Sequence, residues 1–174
     1  SNNHESKKLQ NHQRIDLGEI ESDEILEASG IASSRFNQNI LWTHNDSGDL
    51  NRIFAMDING NHVGEFFLNN VENRDWEDIA IGPGPMEDVD YIFVGDIGDN
   101  RSENDVKYIY RFAEPQVYTN NQSLDINIDN IDQISYQYED GNRDAETLIV
   151  DPITKDIIII SKREESAVHV YLLP

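Results

Sequence analysis

Two stretches of the chain repeat one another and decide the fold: N-R-D-W-E-D-I-A at residues 73–80 and N-R-D-A-E-T-L-I at residues 142–149. Both read N-R-D-x-E-x and continue with two apolar or small residues. A third copy, L-E-A-S-G-I-A at residues 26–32, has Ser29 where the other two have glutamate. This self-similarity predicts a repeat architecture in which each copy is one structural unit.

The same series of segments follows each copy: an apolar run, a charged loop and a shorter alternating stretch. The apolar runs are residues 40–43, 91–94 and 157–160, and the alternating stretches are residues 52–56, 108–112 and 168–172. Their β-branched and aromatic content predicts strands. Further strands are predicted at residues 62–68, after an Asn-Gly turn, and at residues 134–138. Each repeat is therefore a four-stranded antiparallel meander.

A four-strand repeat of roughly 40 to 50 residues is typical of a propeller blade. The sequence thus predicts an all-β chain, a β-propeller of four-stranded blades with about three blades visible. Propellers usually close with about four to eight blades, so these blades are expected to be part of a six-bladed ring. Further blades on the same polypeptide, or a second chain, would complete it. The predicted divisions are a disordered tail at residues 1–13, a closing strand at 14–20, blade one at 29–68, blade two at 77–138 and an incomplete blade three at 146–174, with an inserted surface loop at 119–132.

Charge and composition narrow the classes of partner. The 174 residues include 34 acidic and 13 basic side chains, which gives a formal charge of −21, and there is no cysteine. So acidic a surface repels nucleic acid and favours cations or cationic partners. The lack of cysteine excludes disulfides and zinc-thiolate sites, and no apolar run is long enough to span a membrane.

Carboxylates gather on one predicted rim. In a meander, the start of the first strand lies beside the end of the second, so the N-R-D-x-E segments and the D-x-G-D loops at residues 46–49 and 96–99 share one face. Several carboxylate and amide oxygens around one position are typical ligands of Ca²⁺. The predicted metal ligands are Glu77, Glu146, Asp46, Asp96, Asp99 and Asn100. The alternative is that these motifs are only Asx turns and loop caps, repeated because the blade is repeated.

Other side chains on this rim suggest further roles. His44, beside Asp46, is a candidate general base for a metal-bound water, with a loop hydrogen-bonding role as the alternative. The predicted contacts with a substrate or partner are Trp76, Arg74, Arg143, Lys162 and Arg163. A core position for Trp76, and ion pairing of Arg74 and Arg143 with neighbouring acids, are the alternatives to that prediction.

Several motifs carry a resemblance to known proteins: S-G-I-A (29–32), W-T-H-N-D-S-G-D (42–49), D-W-E-D-I-A (75–80), V-G-D-I-G-D-N (94–100) and D-A-E-T-L-I-V-D-P (144–152). Together they resemble a family of uncharacterised bacterial propeller proteins, usually exported, from about residue 25 onward. More distantly, the pattern is similar to the six-bladed calcium-dependent phosphotriesterase superfamily. That resemblance implies a channel calcium, with Glu77, Glu146, Asp96 and Asn100 as counterparts of its ligands. Ser29 stands where the first glutamate is expected, which puts a complete catalytic site in doubt.

Two functions follow as expectations. The first is an exported, extracytoplasmic propeller, periplasmic, surface-anchored as a lipoprotein or secreted, which is stabilised by Ca²⁺ and binds a protein or saccharide partner. The alternative is a calcium-dependent hydrolase that acts on a phosphoester or lactone in the axial channel. A hydrolase needs an open metal coordination position and a nearby base, whereas a scaffold needs neither.

Overall fold

The computed structural model of the chain describes residues 14–118, 124–164 and 166–174, so the predicted tail at residues 1–13 lies outside the described residues. The described residues form twelve β-strands in three sheets and no helix, which confirms the all-β prediction. The strands are β1 (Ala28–Ser33), β2 (Ile40–Asn45), β3 (Arg52–Asp57), β4 (His62–Leu68), β5 (Trp76–Pro83), β6 (Asp90–Asp96), β7 (Lys107–Ala113), β8 (Leu124–Ile128), β9 (Asp132–Tyr136), β10 (Asp144–Val150), β11 (Ile157–Lys162) and β12 (Val170–Leu173).

Each repeat forms its own antiparallel meander, and sheet one gains one parallel edge strand from the second repeat. Sheet one has the order β1-β2-β3-β4-β8, sheet two the order β5-β6-β7-β9, and sheet three the order β10-β11-β12. The four-stranded meander predicted for the first two repeats is present in both. Strand β6 is buried along nearly its whole length, whereas β4 alternates between buried and half-buried residues.

Strand β8 was not expected. It lies within the segment predicted as a surface loop at residues 119–132, and it pairs in parallel with β4, from Gly64 opposite Leu124 to Leu68 opposite Ile128. Ile126 and Ile128 alternate with polar residues and pack against the core of sheet one. The Asx-rich composition of this segment favoured a loop, whereas the alternation of apolar and polar residues within it is typical of a strand.

Sheet two packs face to face between the other two sheets. Ile79 and Val94 point into an apolar cluster that includes Phe66 of sheet one. Residues Phe93 and Leu148 belong to a second cluster, which joins sheets two and three. Neighbouring residues of a strand point to opposite faces, so one strand pair of sheet two supplies both cores.

The first strands of the three sheets lie side by side, with β5 between β1 and β10. Gly30 allows close approach, since a Cβ at this position would lie 2.8 Å from both the Asp78 Oδ1 and the backbone nitrogen of Ile79. Asp78 also accepts a hydrogen bond of 2.8 Å from the backbone nitrogen of Leu148. One carboxylate thus ties the first strands of sheets two and three together.

Sheet three leaves one apolar face uncovered by the described residues. Ile149, Val170 and Leu172 are 51%, 69% and 57% exposed. They lie opposite the face that carries Leu148 and Ile159, which are buried against sheet two. The side of sheet three that points away from sheet two is therefore free to accept another apolar surface.

The segment predicted as a closing strand, residues 14–20, is irregular and exposed in this structure. The chain next reaches the turn between β3 and β4, where Glu21 donates a backbone hydrogen bond of 2.9 Å to the Gly60 carbonyl. A strand forms where a sheet edge offers backbone partners. The closing role of residues 14–20 stays a prediction.

Candidate metal centre

Three carboxylates meet on the rim between sheets one and two. Asp46, Asp75 and Glu77 each place one oxygen so that all three oxygens lie within 4.8 Å of one another. Asp46 follows β2, Asp75 directly precedes β5, and Glu77 is the second residue of β5. Two of these residues were among the predicted ligands, and Asp75 was missed. Its signal was present in the repeated N-R-D, where it stands two residues before the glutamate.

A β-bulge positions Glu77. The register of the first strand pair shifts at the same point in every sheet, and the extra residues are Ser29 in β1, Glu77 in β5 and Glu146 in β10. A bulge leaves its extra residue outside the ladder and redirects its side chain. The repeated glutamate of the N-R-D-x-E motif is therefore the bulged residue of its sheet.

The loop after β6 closes over the cluster because Gly98 has no side chain. A Cβ on Gly98 would lie 2.4 Å from the Asp75 Oδ2 and 2.5 Å from the Glu77 Oε1. The backbone nitrogen of Gly98 also donates to the Asp75 carbonyl at 3.2 Å. On the other side, the Ser29 hydroxyl donates to the Glu77 carbonyl at 3.1 Å. Neighbouring segments thus anchor the backbone of Asp75 and Glu77, and Gly98 lies against both carboxylates.

The electrostatics of the cluster favour a bound cation. Burial raises the pKa of Glu77 to about 7, the Lys162 ammonium opposes that rise, and the charges of Asp75 and Asp46 add to it. Burial also raises the pKa of Asp75, and Asp144 and Asp46 act in the same direction. Like charges and desolvation disfavour the ionised forms, and a cation between the oxygens would relieve both effects.

The raised pKa of Glu77 predicts a pH dependence of stability. Between the ordinary value of 4.5 and the folded value of about 7, the folded protein holds a proton that the unfolded chain has released. The contribution of Glu77 to the free energy of unfolding should therefore decrease as pH rises through this window. Urea unfolding without divalent cations, compared between wild type and Glu77→Gln across the window, measures it. Parallel pH profiles for the two proteins would contradict this prediction.

The other predicted ligands lie outside the three-carboxylate cluster. Asp96 is 1% exposed, and its Oδ1 is 3.2 Å from the Nε of Arg74. Asp99 accepts the Lys107 ammonium at 2.6 Å. Both carboxylates are already paired with buried or half-buried cations of the protein.

Asn100 and Glu146 also have protein partners. The Asn100 side-chain oxygen accepts a hydrogen bond from Arg163, and the half-exposed Glu146 carboxylate contacts the Lys162 ammonium. Glu146 occupies the bulge of sheet three, at the position equivalent to Glu77, but its ion partner there is a lysine. The described cluster therefore shares only Asp46 and Glu77 with the predicted ligand set.

A one-residue offset explains why Asp46 joins the cluster and Asp96 does not. Aligning the two D-x-G-D loops makes Asp46 the counterpart of Asp96. In the structure, however, Asn45 lies opposite Ala28 and Asp96 opposite Trp76, so Asn45 is the true counterpart of Asp96. A shift of one residue turns a side chain to the other face of the strand.

The predictions for His44 and Trp76 are not supported by their positions. His44 is 0% exposed, its Nδ1 donates to the Asn45 carbonyl at 2.7 Å, and burial lowers its pKa. Its ring packs edge-on against Trp76, which is also 0% exposed and belongs to the core between sheets one and two. A buried neutral histidine is not placed to take a proton from a water on the rim. The alternative core position of Trp76 is the one observed.

The predicted cationic contacts divide into two groups. Arg74 pairs with Asp96 and Arg143 pairs with Asp140 at 2.7 Å, as the alternative interpretation has it for both. Arg143, Lys162 and Arg163 line a cleft of about 320 Å³ between sheets two and three, together with Asp144. These three cations are thus on one rim, at the next sheet junction after the carboxylate cluster.

Comparisons of the chain with protein-family models, with curated proteins and with solved structures found no match. The resemblances drawn from the motifs therefore stay predictions. Among the described residues, no helix is long and apolar enough to cross a membrane. Fold and site together define an all-β chain of stacked sheets with a carboxylate cluster at one sheet junction.

Proposed function

We propose that this chain is part of a β-propeller that binds a divalent cation, with Ca²⁺ as the first candidate, through Asp46, Asp75 and Glu77. Its role is that of an extracytoplasmic binding scaffold for a protein or saccharide. The observation that carries the proposal is the convergence of three carboxylates from two sheets, within 4.8 Å of one another, beneath a glycine. An ion held there would link sheet one to sheet two.

The donor set favours Ca²⁺. All three ligand atoms are carboxylate oxygens, and Ca²⁺ takes six to eight oxygens in flexible geometry, whereas Mg²⁺ demands a near-ideal octahedron. Three protein ligands leave several positions to water, so binding should be weak. Extracellular calcium modules work with dissociation constants of about 10⁻⁴ to 10⁻³ M, which fits an exported protein.

The packing of the sheets supports a propeller. Each sheet is a meander, sheet two is covered on both faces, and the first strands lie side by side with the bulge repeated. The free face of sheet three, with Ile149, Val170 and Leu172, corresponds to the face of sheet two that packs on sheet three. A further sheet of the same repeat would cover it and continue the ring.

A calcium titration tests the proposed site. Isothermal titration of the wild type with CaCl₂ is expected to show one saturable site, and both Asp46→Asn and Glu77→Gln should weaken it by about tenfold or more, because each removes one of three negative ligands. Glu87→Gln is the matched control, since Glu87 is exposed and lies in the turn between β5 and β6. A parallel titration with MgCl₂ should show weaker binding.

If Asp46→Asn, Glu77→Gln and Glu87→Gln all weaken Ca²⁺ binding equally, Ca²⁺ binds through the overall negative charge of the protein. That result would contradict the proposed site. The hydrolase alternative needs, in addition, a base beside a metal-bound water. His44, the predicted base, lies in the core. The scaffold function is therefore the better supported of the two.

A further inference from the structure

The cleft between sheets two and three has a wall of polar and charged side chains. Its volume of about 320 Å³ falls at the lower end of the range of roughly 300 to 1,000 Å³ that is typical of small-molecule sites. Such sites are lined mainly by apolar and aromatic side chains. Here, all nine lining residues among those that the structure describes are polar or charged. The cleft therefore suits a small ligand that makes hydrogen bonds over most of its surface.

The charges on the wall of the cleft balance. Six charged side chains line it, the acids Asp99, Asp144 and Glu164 and the bases Arg143, Lys162 and Arg163. The whole chain, by contrast, has a formal charge of −21. Since the net charge of the wall is zero, it selects neither an anion nor a cation. An uncharged ligand fits it best.

Acidic and basic groups lie next to one another on this wall. The Asp144 Oδ2 is 3.8 Å from the Lys162 Nζ and 3.8 Å from the Arg163 Nη1. The Glu164 Oε1 is 3.3 Å from the Arg143 Nε. A hydroxyl group both donates and accepts hydrogen bonds at one oxygen atom. Hydroxyl groups on adjacent carbons can therefore donate to an acid of this wall and accept from the base beside it.

Two carboxylate oxygens of the cleft have no hydrogen-bond donor among the described residues. They are the Asp144 Oδ2 and the Glu164 Oε1, and both atoms are buried. The Asp144 side chain is 6% exposed, and its other oxygen accepts a hydrogen bond of 2.8 Å from the backbone nitrogen of Asp99, which fixes its direction. Buried carboxylate oxygens are stabilised by a hydrogen bond, so a ligand that donates to both atoms gains affinity.

The bases of the wall are held by other contacts. The Arg143 Nη2 donates to the Asp140 carboxylate at 2.7 Å, and its Nε donates to the Tyr171 hydroxyl at 3.1 Å. Arg163 donates to the side-chain oxygen of Asn100. A guanidinium group has five N–H donors in a fixed plane, and these contacts of Arg143 use two of them. The cleft therefore presents oriented donors as well as acceptors.

We propose that this cleft binds a neutral saccharide through one hexose unit. Asp144 and Glu164 accept hydrogen bonds from its hydroxyl groups, and Arg143 and Arg163 donate to them. This inference rests on the scaffold role in the proposed function, whose partner it names. It places that partner at the junction of sheets two and three, next to the junction that holds the carboxylate cluster.

Isothermal titration with D-glucose, D-galactose and D-mannose tests the inference, and at least one of them is expected to bind the wild type saturably. Asp144→Asn should weaken that binding by about tenfold or more, because it removes a charged acceptor. Arg163→Gln changes a side chain that is 61% exposed and should weaken it by about three- to tenfold. Arg111→Gln is the matched control, since Arg111 pairs with Asp132 outside the cleft, and it should stay within about twofold of wild type.

The charge of the ligand is tested with D-glucuronate, which adds a carboxylate to the same ring. It should bind no more tightly than the neutral sugar, because the wall has no net charge. Binding that is about tenfold tighter would overturn the neutral class of ligand. A melting curve of each variant shows that the fold is intact before the affinities are compared.

The remaining outcomes separate this inference from the proposed metal site. If none of the three sugars binds while the wild type binds Ca²⁺, the saccharide cleft is overturned and the metal site stands. If a sugar binds but Asp144→Asn and Arg163→Gln leave its affinity unchanged, the sugar lies elsewhere and the inference is overturned as well. If the sugar binds in the cleft and Ca²⁺ does not bind, the metal site is overturned and the cleft stands.

Discussion

Replacing Lys107 with methionine is expected to lower the free energy of unfolding by about 3–5 kcal/mol. The Lys107 side chain is fully buried, and its ammonium donates to Asp99 Oδ2 at 2.6 Å and to the Asn104 carbonyl at 2.8 Å. Methionine keeps the apolar stem but leaves a carboxylate that is 2% exposed without its cation. An uncompensated buried charge costs far more than the pair contributes.

The surroundings of Asp99 show how much depends on this contact. Its carboxylate also accepts backbone hydrogen bonds from Glu103 at 2.9 Å and Asn104 at 3.0 Å. Burial alone would raise the pKa of Asp99, but the bond from Lys107 and these backbone bonds hold it below its ordinary value. The pair therefore stabilises the loop that follows β6 and carries Gly98.

Urea unfolding measures the change, with Arg111→Met as the matched control. Arg111 pairs with Asp132 at 2.9 Å, but that carboxylate is 56% exposed, so its loss should cost at most about 1 kcal/mol. The double variant Asp99→Asn with Lys107→Met should recover part of the stability, because no charge is then left buried. If Lys107→Met is no more destabilising than Arg111→Met, the buried pair does not have the role assigned to it.

The repeat made most of the fold predictable, because strand identity depends on local alternation. The meander of sheet one, with β4 at residues 62–68, follows directly from apolar runs and turns. The register between strands was not predictable in this way. The bulges at Ser29, Glu77 and Glu146 each add a residue, and no sequence pattern marks a bulge. The sequence shows glutamate at two of these positions, but it does not show the direction in which the side chain points.

The sequence predicted the rim on which the site lies, but not the full set of residues that form it. Glu77 and Asp46 were expected there, whereas Asp75 and Gly98 become meaningful only when the loop after β6 is seen to fold back. From the sequence, Asp96 was an equally suitable metal ligand, but its carboxylate is paired with Arg74. Some acids pair with a cation of the protein, and others stay available to bind a ligand. Contacts between residues far apart in sequence decide between these two roles.

Replacing Gly98 with alanine is expected to weaken Ca²⁺ binding by about 10- to 100-fold while the fold persists. The new methyl group would lie 2.4 Å from the Asp75 Oδ2 and 2.5 Å from the Glu77 Oε1, so both carboxylates have to move apart. These atoms are the ends of flexible side chains, which makes the movement cheap for the fold. The movement separates the carboxylate oxygens, which have to converge to bind the cation.

Gly95→Ala is the control for this variant, because it adds the same methyl group near the end of β6. There the Cβ would lie 3.3 Å from the Ile97 and Leu148 side chains and away from the carboxylates. Isothermal titration should show wild-type affinity for Gly95→Ala and weak binding for Gly98→Ala, with similar melting temperatures for both. Since Gly98 has no positive φ, strain of the backbone does not explain a loss. Unchanged affinity in Gly98→Ala would place the cation elsewhere, because no ion held by both Asp75 and Glu77 tolerates a methyl group between them.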